Sequence, residues 1–193
     1  MRRYLLFCIL GLGTTVFAQD TQVYQSADGA VKVTCKAAGQ HNLITGIERI
    51  DADNPLPEET EIPLGRYASG ELMLHVHSRD TALYVFSGGE RYYLYSTVVS
   101  QTEDEKREAL MCLYKAVRYP AEARQRSVAG TVVVEVYLNA LGMPTQTQPK
   151  TAIGAGLEQA AVSALQQCTY QPATFAGTPV KALSIVPVSF KLN

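Results

Sequence analysis

Residues 117–142 read VRYPAEARQRSVAGTVVVEVYLNALG, and their order decides the fold of the C-terminal part of the chain. Pro120 suits the first turn of a helix, where its missing amide costs nothing. Ala121 to Arg126 then forms a short predicted helix, and Gly130 lets the chain reverse closely against a sheet. Thr131 to Asn139 alternate in character. Val132, Val134, Val136 and Leu138 face one way, while Thr131, Val133, Glu135 and Tyr137 face the other, which is the period of a strand. Leu141-Gly142 turns the chain into a second strand near Thr145 to Thr151.

Downstream, Leu157, Ala161, Ala164, Leu165 and Cys168 fall on one stripe of a second helix. The small alanines let it lie close to a sheet. The chain closes on SIVPVSFKL, in which Val186, Val188, Phe190 and Leu192 alternate with Pro187, Ser189 and Lys191. The order is helix, strand, strand, helix, strand. Three antiparallel strands with two helices on one face would bury every apolar stripe named so far. The fold class is therefore α+β, with this two-layer domain over residues 118–193.

Residues 117–193 resemble the C-terminal domain of the TonB family of energy transducers. The resemblance rests on Tyr119-Pro120-Ala121 and Ala123, on Gly130 before the Val132-Val134-Val136 strand, and on Gly142 in the turn. Leu157, Ala161 and Ala164 continue it in the helix, Tyr170 and Pro172 follow, and Gly177 and Val186-Pro187-Val188-Ser189-Phe190 complete it. Each motif alone is weak; together, in order and over this span, they are specific. The chain departs from the family where many members carry Trp at the end of the second helix. It has Cys168 there and contains no Trp.

The resemblance implies that the domain binds a short extended segment of an outer-membrane transporter or other envelope protein by adding it to a sheet edge. A terminal strand offers unpaired amides and carbonyls with which a guest strand can pair. The last strand, residues 183–192, is the expected edge, and Pro187 agrees with that position because prolines sit on edges or bulges. The residues expected to contact the partner are Lys115, Arg118 and Tyr119 before the entering helix, and Ser184, Val186, Val188, Ser189 and Lys191 on the last strand.

The first half has a different rhythm. Residues 19–100 read as a β-rich domain. TQVYQS and AVKVTCKA flank a turn at Ala27-Asp28-Gly29, and Asp-Gly favours a tight hairpin. ELMLHVHS (71–78) puts Leu72, Leu74 and Val76 on one face. TALYVFSGGERYYLYSTVV (81–99) reads as a hairpin about Gly88-Gly89, which can take positive φ without steric cost. DADNPLPEETEIPLG (51–65) is acidic, holds Pro55, Pro57 and Pro63, and reads as a loop. A small antiparallel domain follows, as open sheet or sandwich. Residues 101–117 form a linker helix opened by a capping box at Thr102-Glu103-Asp104-Glu105. No Pro-rich or Gly-rich tether separates the halves.

Arg2-Arg3, an apolar run from Leu5 to Leu12 and small or aliphatic residues at Val16-Phe17-Ala18 fit a secretory signal cut before Gln19, so residues 1–18 are expected to be removed. The run falls well short of the roughly 20 residues that span a bilayer. Without residues 1–18 the chain keeps 15 basic and 18 acidic residues. No basic excess exists to neutralise phosphates, and nucleic-acid binding is not expected. Export to the periplasm permits a disulfide. Cys112 and Cys168 lie on predicted helices able to approach one another. A disulfide between them and a pair of buried thiols are both open, and Cys35 is a further possible partner. No cysteine pair has metal-ligand spacing.

His75 and His77 share one strand face and read as polar residues on a solvated surface, not as metal ligands. Tyr84, Tyr92, Tyr93 and Tyr95 read first as cross-strand packing; the alternative, on a solvated face, is stacking against a sugar or peptide. No G-x-S-x-G, H-E-x-x-H or phosphate-binding glycine loop is present, and catalysis, a cofactor and a small-molecule substrate have no support. Three functional readings stand. The first is an exported binding protein that pairs with a partner strand. The second is a membrane-anchored energy transducer, opposed by the lack of polar coupling residues in the apolar run and of a long proline-rich span. The third is a structural module that dimerises through its exposed strand.

Overall fold

The computed structural model describes residues 21–38, 41–49, 59–67, 69–77, 80–98 and 111–192. The expected signal segment, the first part of the acidic loop and the capping box at Thr102–Glu105 lie outside the described residues. The first three strands, β1 (Thr21–Gln25), β2 (Val31–Ala38) and β3 (His41–Arg49), form an antiparallel sheet in that order. Its first turn is held by Asp28, whose carboxylate accepts from the Ser26 hydroxyl and, at 3.0 Å, from the Ala30 amide.

A meander follows: β4 (Glu59–Tyr67), β5 (Gly70–His77), β6 (Asp80–Ser87) and β7 (Glu90–Leu94). Gly88 and Gly89 take φ of 60° and 81° in the β6–β7 turn, the left-handed region that a two-residue hairpin needs. Two sequence expectations are corrected here. Glu59–Gly65 of the supposed loop belongs to strand β4, paired with β5 across a register shift between Pro63 and Gly65, where a proline fits. Tyr95–Val98 does not continue the hairpin but turns into a short helix, α1.

The C-terminal part runs α2 (residues 111–116), α3 (Ala121–Gln125), β8 (Gly130–Leu138), β9 (Pro144–Pro149), α4 (Leu157–Gln166), β10 (Ala173–Phe175), β11 (Thr178–Val180) and β12 (Ala182–Phe190). Strands β8, β9 and β12 pair antiparallel as expected. They do not stand as a separate three-stranded sheet. One seven-stranded mixed sheet runs β4-β5-β6-β7-β12-β8-β9, and β10-β11 make a separate hairpin. The join is a short parallel pairing of Ala182 and Leu183 with Tyr93 and Leu94.

Alternation then sends side chains to two faces. Leu72, Leu74, Leu83, Val85, Leu94 and Leu183 meet Val31, Val33 and Cys35 of the three-stranded sheet, a sandwich core. On the opposite face, Val132, Val134, Val136, Val186, Val188 and Phe190 pack with Ala123 of α3 and Leu157, Ala161 and Leu165 of α4. That face continues over β5–β7, where Phe175 of the β10–β11 hairpin covers Ala82, Tyr84 and Tyr93.

The Cys112 and Cys168 sulfurs are bonded, joining α2 to the chain just after α4, with Cα atoms 5.9 Å apart and a sequence separation of 56. Cys35 is a buried free thiol. A closed loop of this length favours the folded state by roughly 2–4 kcal/mol on a chain-entropy account. A Cys112→Ser, Cys168→Ser variant is expected to lose about that much in urea unfolding. An unchanged midpoint would refute the assignment.

Gly142 is a site where only glycine fits. Its φ is +75°, its carbonyl accepts from the Tyr170 amide at 2.9 Å, and a Cβ would sit 2.1 Å from the Tyr170 carbonyl oxygen. Gly142→Ala is expected to cost about 2–4 kcal/mol in urea unfolding, the sum of backbone strain and overpacking.

Candidate functional site

The free side of β12 is the candidate interface. The Val133 amide donates to Thr151 Oγ1 at 3.0 Å and its carbonyl accepts from Lys150 at 2.8 Å, so the Val133 backbone faces β9. Val133 stands opposite Pro187. Backbone groups alternate sides along a strand. Residues 182, 184, 186, 188 and 190 therefore bond to β8, and residues 183, 185, 187 and 189 point the other way. The Lys181 carbonyl, on the same parity, accepts from the Tyr93 amide of β7 at 2.9 Å.

β7 occupies that outer side only at Ala182 and Leu183. Among the described residues no strand pairs with it from Ser184 to Phe190. Ile185 and Ser189 thus aim an N–H and a carbonyl outward, and Pro187 aims a carbonyl. Proline sits at the outward position, where its missing N–H breaks no bond to β8. The last strand is not a terminal strand of the sheet, as the sequence had suggested; β4 and β9 are. It is an interior strand whose pairing stops early.

The register and burial place the residues expected on the last strand as follows. Val186 and Val188 are core side chains, 8% and 3% exposed, and their backbone bonds go to β8. Ser184 is on the same parity and is half-buried. Ser189 is exposed and outward-facing, its hydroxyl 3.0 Å from that of Thr131. Lys191 is exposed just beyond the strand. Ile185 and Pro187, which the sequence reading did not name, turn their backbone to this side because backbone pairing follows the register with β8 and not side-chain alternation.

Of the three residues before α3, only Tyr119 reaches β12. Its ring meets Phe190 edge-on at 5.7 Å, and its hydroxyl donates to the Val128 carbonyl at 2.6 Å. Arg124 lies over the same ring at 5.8 Å. Arg118 is exposed and donates to the Lys115 carbonyl at 2.7 Å, and Lys115 is exposed one turn earlier. The disulfide fixes α2 at this end, three residues before Lys115.

A second polar cluster lies on β4, β5 and β7. His75 was expected on a solvated face, yet it is 7% exposed. Phe175 covers it, ring centroids 4.7 Å apart. One of its ring nitrogens lies 2.6 Å from the Tyr93 hydroxyl and the other 3.3 Å from the Glu59 carboxylate, which also contacts His77. The hydrogen bonds from His75 and then His77 hold the Glu59 carboxyl below its ordinary range. Arg91 pairs with Glu61 and stacks over Tyr84 at 4.7 Å. Burial first, and then the Glu61 carboxylate, push the Tyr84 phenol up. Every polar group named in this cluster has a partner, and no group of three metal-ligating side chains exists among the described residues. The cluster holds the β10–β11 hairpin on the sheet.

Residues 115–192 match the family model described as Gram-negative bacterial TonB protein C-terminal. The chain is 33% identical over 97 residues to a Protein TonB of Vibrio cholerae, a match covering 50% of this chain and 40% of that protein. It is 37% identical over 79 residues to the Protein tonB2 of Pseudomonas aeruginosa, covering 40% of this chain and 29% of that one. The chain thus spans less than half the length of either curated relative it matches. No solved structure matches.

Proposed function

Residues 115–192 are a TonB C-terminal domain, and we propose that this domain makes the chain an exported, non-catalytic binding protein of the bacterial envelope. It recognises an extended segment of an outer-membrane transporter or similar envelope protein by strand addition to β12. The observation that carries this reading is the interrupted edge. Ile185, Pro187 and Ser189 face away from β8, and β7 pairs on that side only as far as Leu183. A guest strand laid there bonds to backbone and needs no particular side chain at each position.

The geometry also limits the guest. Two N–H groups and three carbonyls point outward, so the paired segment is short. Each backbone bond contributes about 0.5–1.5 kcal/mol net. Binding through this edge alone is therefore weak and rapidly reversible. Tyr119, Arg118 and Lys191 lie at the Phe190 end, where two cations favour an acidic residue in the guest. Residues 1–18 supply the export signal, and among the described residues no helix is long and apolar enough to cross a membrane.

The test is a titration of the full chain, by amide-resolved NMR, with a short extended peptide from the periplasm-facing end of an outer-membrane transporter. Ser189→Pro deletes one outward N–H and leaves the β8 ladder whole. It is expected to weaken binding about tenfold with little change in thermal unfolding, since its direct loss is compounded by poorer pairing at Pro187. Shift changes confined to Ile185–Ser189 support the reading. Unchanged affinity in Ser189→Pro, or shifts mapping to β4 or β9, would overturn it. Concentration-dependent dimerisation abolished by the same substitution would instead make a second copy of the chain the guest.

A further inference from the structure

The inner face of the seven-stranded sheet holds a cleft that strand addition does not use. It lies where the β4–β5 and β6–β7 turns curl over β8 and β9, and it encloses about 290 Å³. Small-molecule sites begin at about this size. Two of its lining residues, Ser69 and Tyr137, are held from behind by a buried carboxylate. Glu135 is 1% exposed, and its carboxylate accepts from Ser69 Oγ at 3.2 Å, Tyr137 Oη at 3.3 Å and Lys150 Nζ at 3.1 Å. Ser69 and Tyr137 also contact each other, so the two hydroxyls are held in fixed directions.

The walls are two tyrosines and two amides. The Tyr92 and Tyr137 rings meet at 84° with centroids 5.0 Å apart, forming a corner. Gln146 and Gln148 lie two residues apart on β9, hence on one face, and line the cleft opposite. Neither side-chain amide bonds another side chain among the described residues, so each keeps two donors and one acceptor for a guest. At the rim the Glu90 carboxylate is neutralised by Lys181 and accepts from Tyr92 at 2.7 Å. That bond, then burial, pushes the Tyr92 phenol up to about 12.

We propose that this cleft is a binding site for a neutral saccharide ring. The lining Glu90 and the buried Glu135 behind Ser69 and Tyr137 are each paired with a lysine, so the cleft offers no net charge to an ion. An apolar ligand would leave the two amides without partners, at the cost of their desolvation. A sugar ring satisfies both demands: its hydroxyls meet the Gln amides, and its C–H face lies against a tyrosine ring, apolar on apolar.

Saturation-transfer NMR on the full chain tests this, with methyl glucoside, chitotriose and glucuronate as probes. The two neutral probes are expected to receive saturation from tyrosine ring protons, and glucuronate to receive less. Gln146→Ala with Gln148→Ala changes side chains that the fold does not use, and should weaken neutral-sugar binding about tenfold with unfolding unaltered. Tighter binding of chitotriose than of methyl glucoside identifies a glycan chain as the source of the ring; equal binding identifies a free sugar. No transfer at millimolar probe, preference for glucuronate, or full binding by the double variant overturns the proposal.

Discussion

Two residue pairs make one sheet out of the two halves of this chain. Ala182 and Leu183 lie parallel to Tyr93 and Leu94, and nothing else in the strand order connects β4–β7 to β8, β9 and β12. Parallel neighbours require a crossover connection, and here it contains α2–α4, β8 and β9. The brevity of the contact follows from the chain itself, since β7 gives way to α1 at Tyr95. A longer β7 would have covered β12 along its whole length and closed the edge at Ile185–Ser189.

The same join distributes burial between the faces. Helices α3 and α4 cover β8, β9 and β12, and α1 adds only Val98 over Tyr84 and Tyr93, so the corresponding face of β5–β7 needs another cover. The β10–β11 hairpin supplies it through Phe175, and His75 becomes buried beside Tyr93 and Glu59 as a result. A buried histidine is tolerated when its ring nitrogens have partners, which explains why a carboxylate from the neighbouring strand stands beside it. On the other face, beside the β4–β5 turn, the buried Glu135 stands on β8 among valines and bonds to Ser69.

The C-terminal elements were legible because their signals are local. Pro120 at the start of α3, the Val132–Leu138 alternation and the Leu157–Leu165 stripe each name an element without help from the rest of the chain. The sheet that unites them was not legible, because pairing of β7 with β12 joins residues far apart in sequence and leaves no periodic trace. The same holds for the burial of His75, whose cover comes from residue 175. Strand β4 was hidden for a different reason: prolines and glutamates read as loop, yet on a terminal strand proline is tolerated and charge protects the edge. The outward backbone at Ile185 and Pro187 required a register, which only the Val133 contacts with Thr151 and Lys150 establish.

The bond between Cys112 and Cys168 has a mechanical consequence. Along the backbone, α2 reaches β12 through α3, β8, β9 and α4. Through the disulfide the covalent path leaps from Cys112 to Cys168 and enters β12 after the β10–β11 hairpin. Tension between α2 and a strand held on β12 is then carried by the sulfur bridge and by residues 169–181. Residues 113–167, which include strand β8, are not stretched. Reduced, the same tug would be transmitted through every one of those elements in series, and the weakest would extend first.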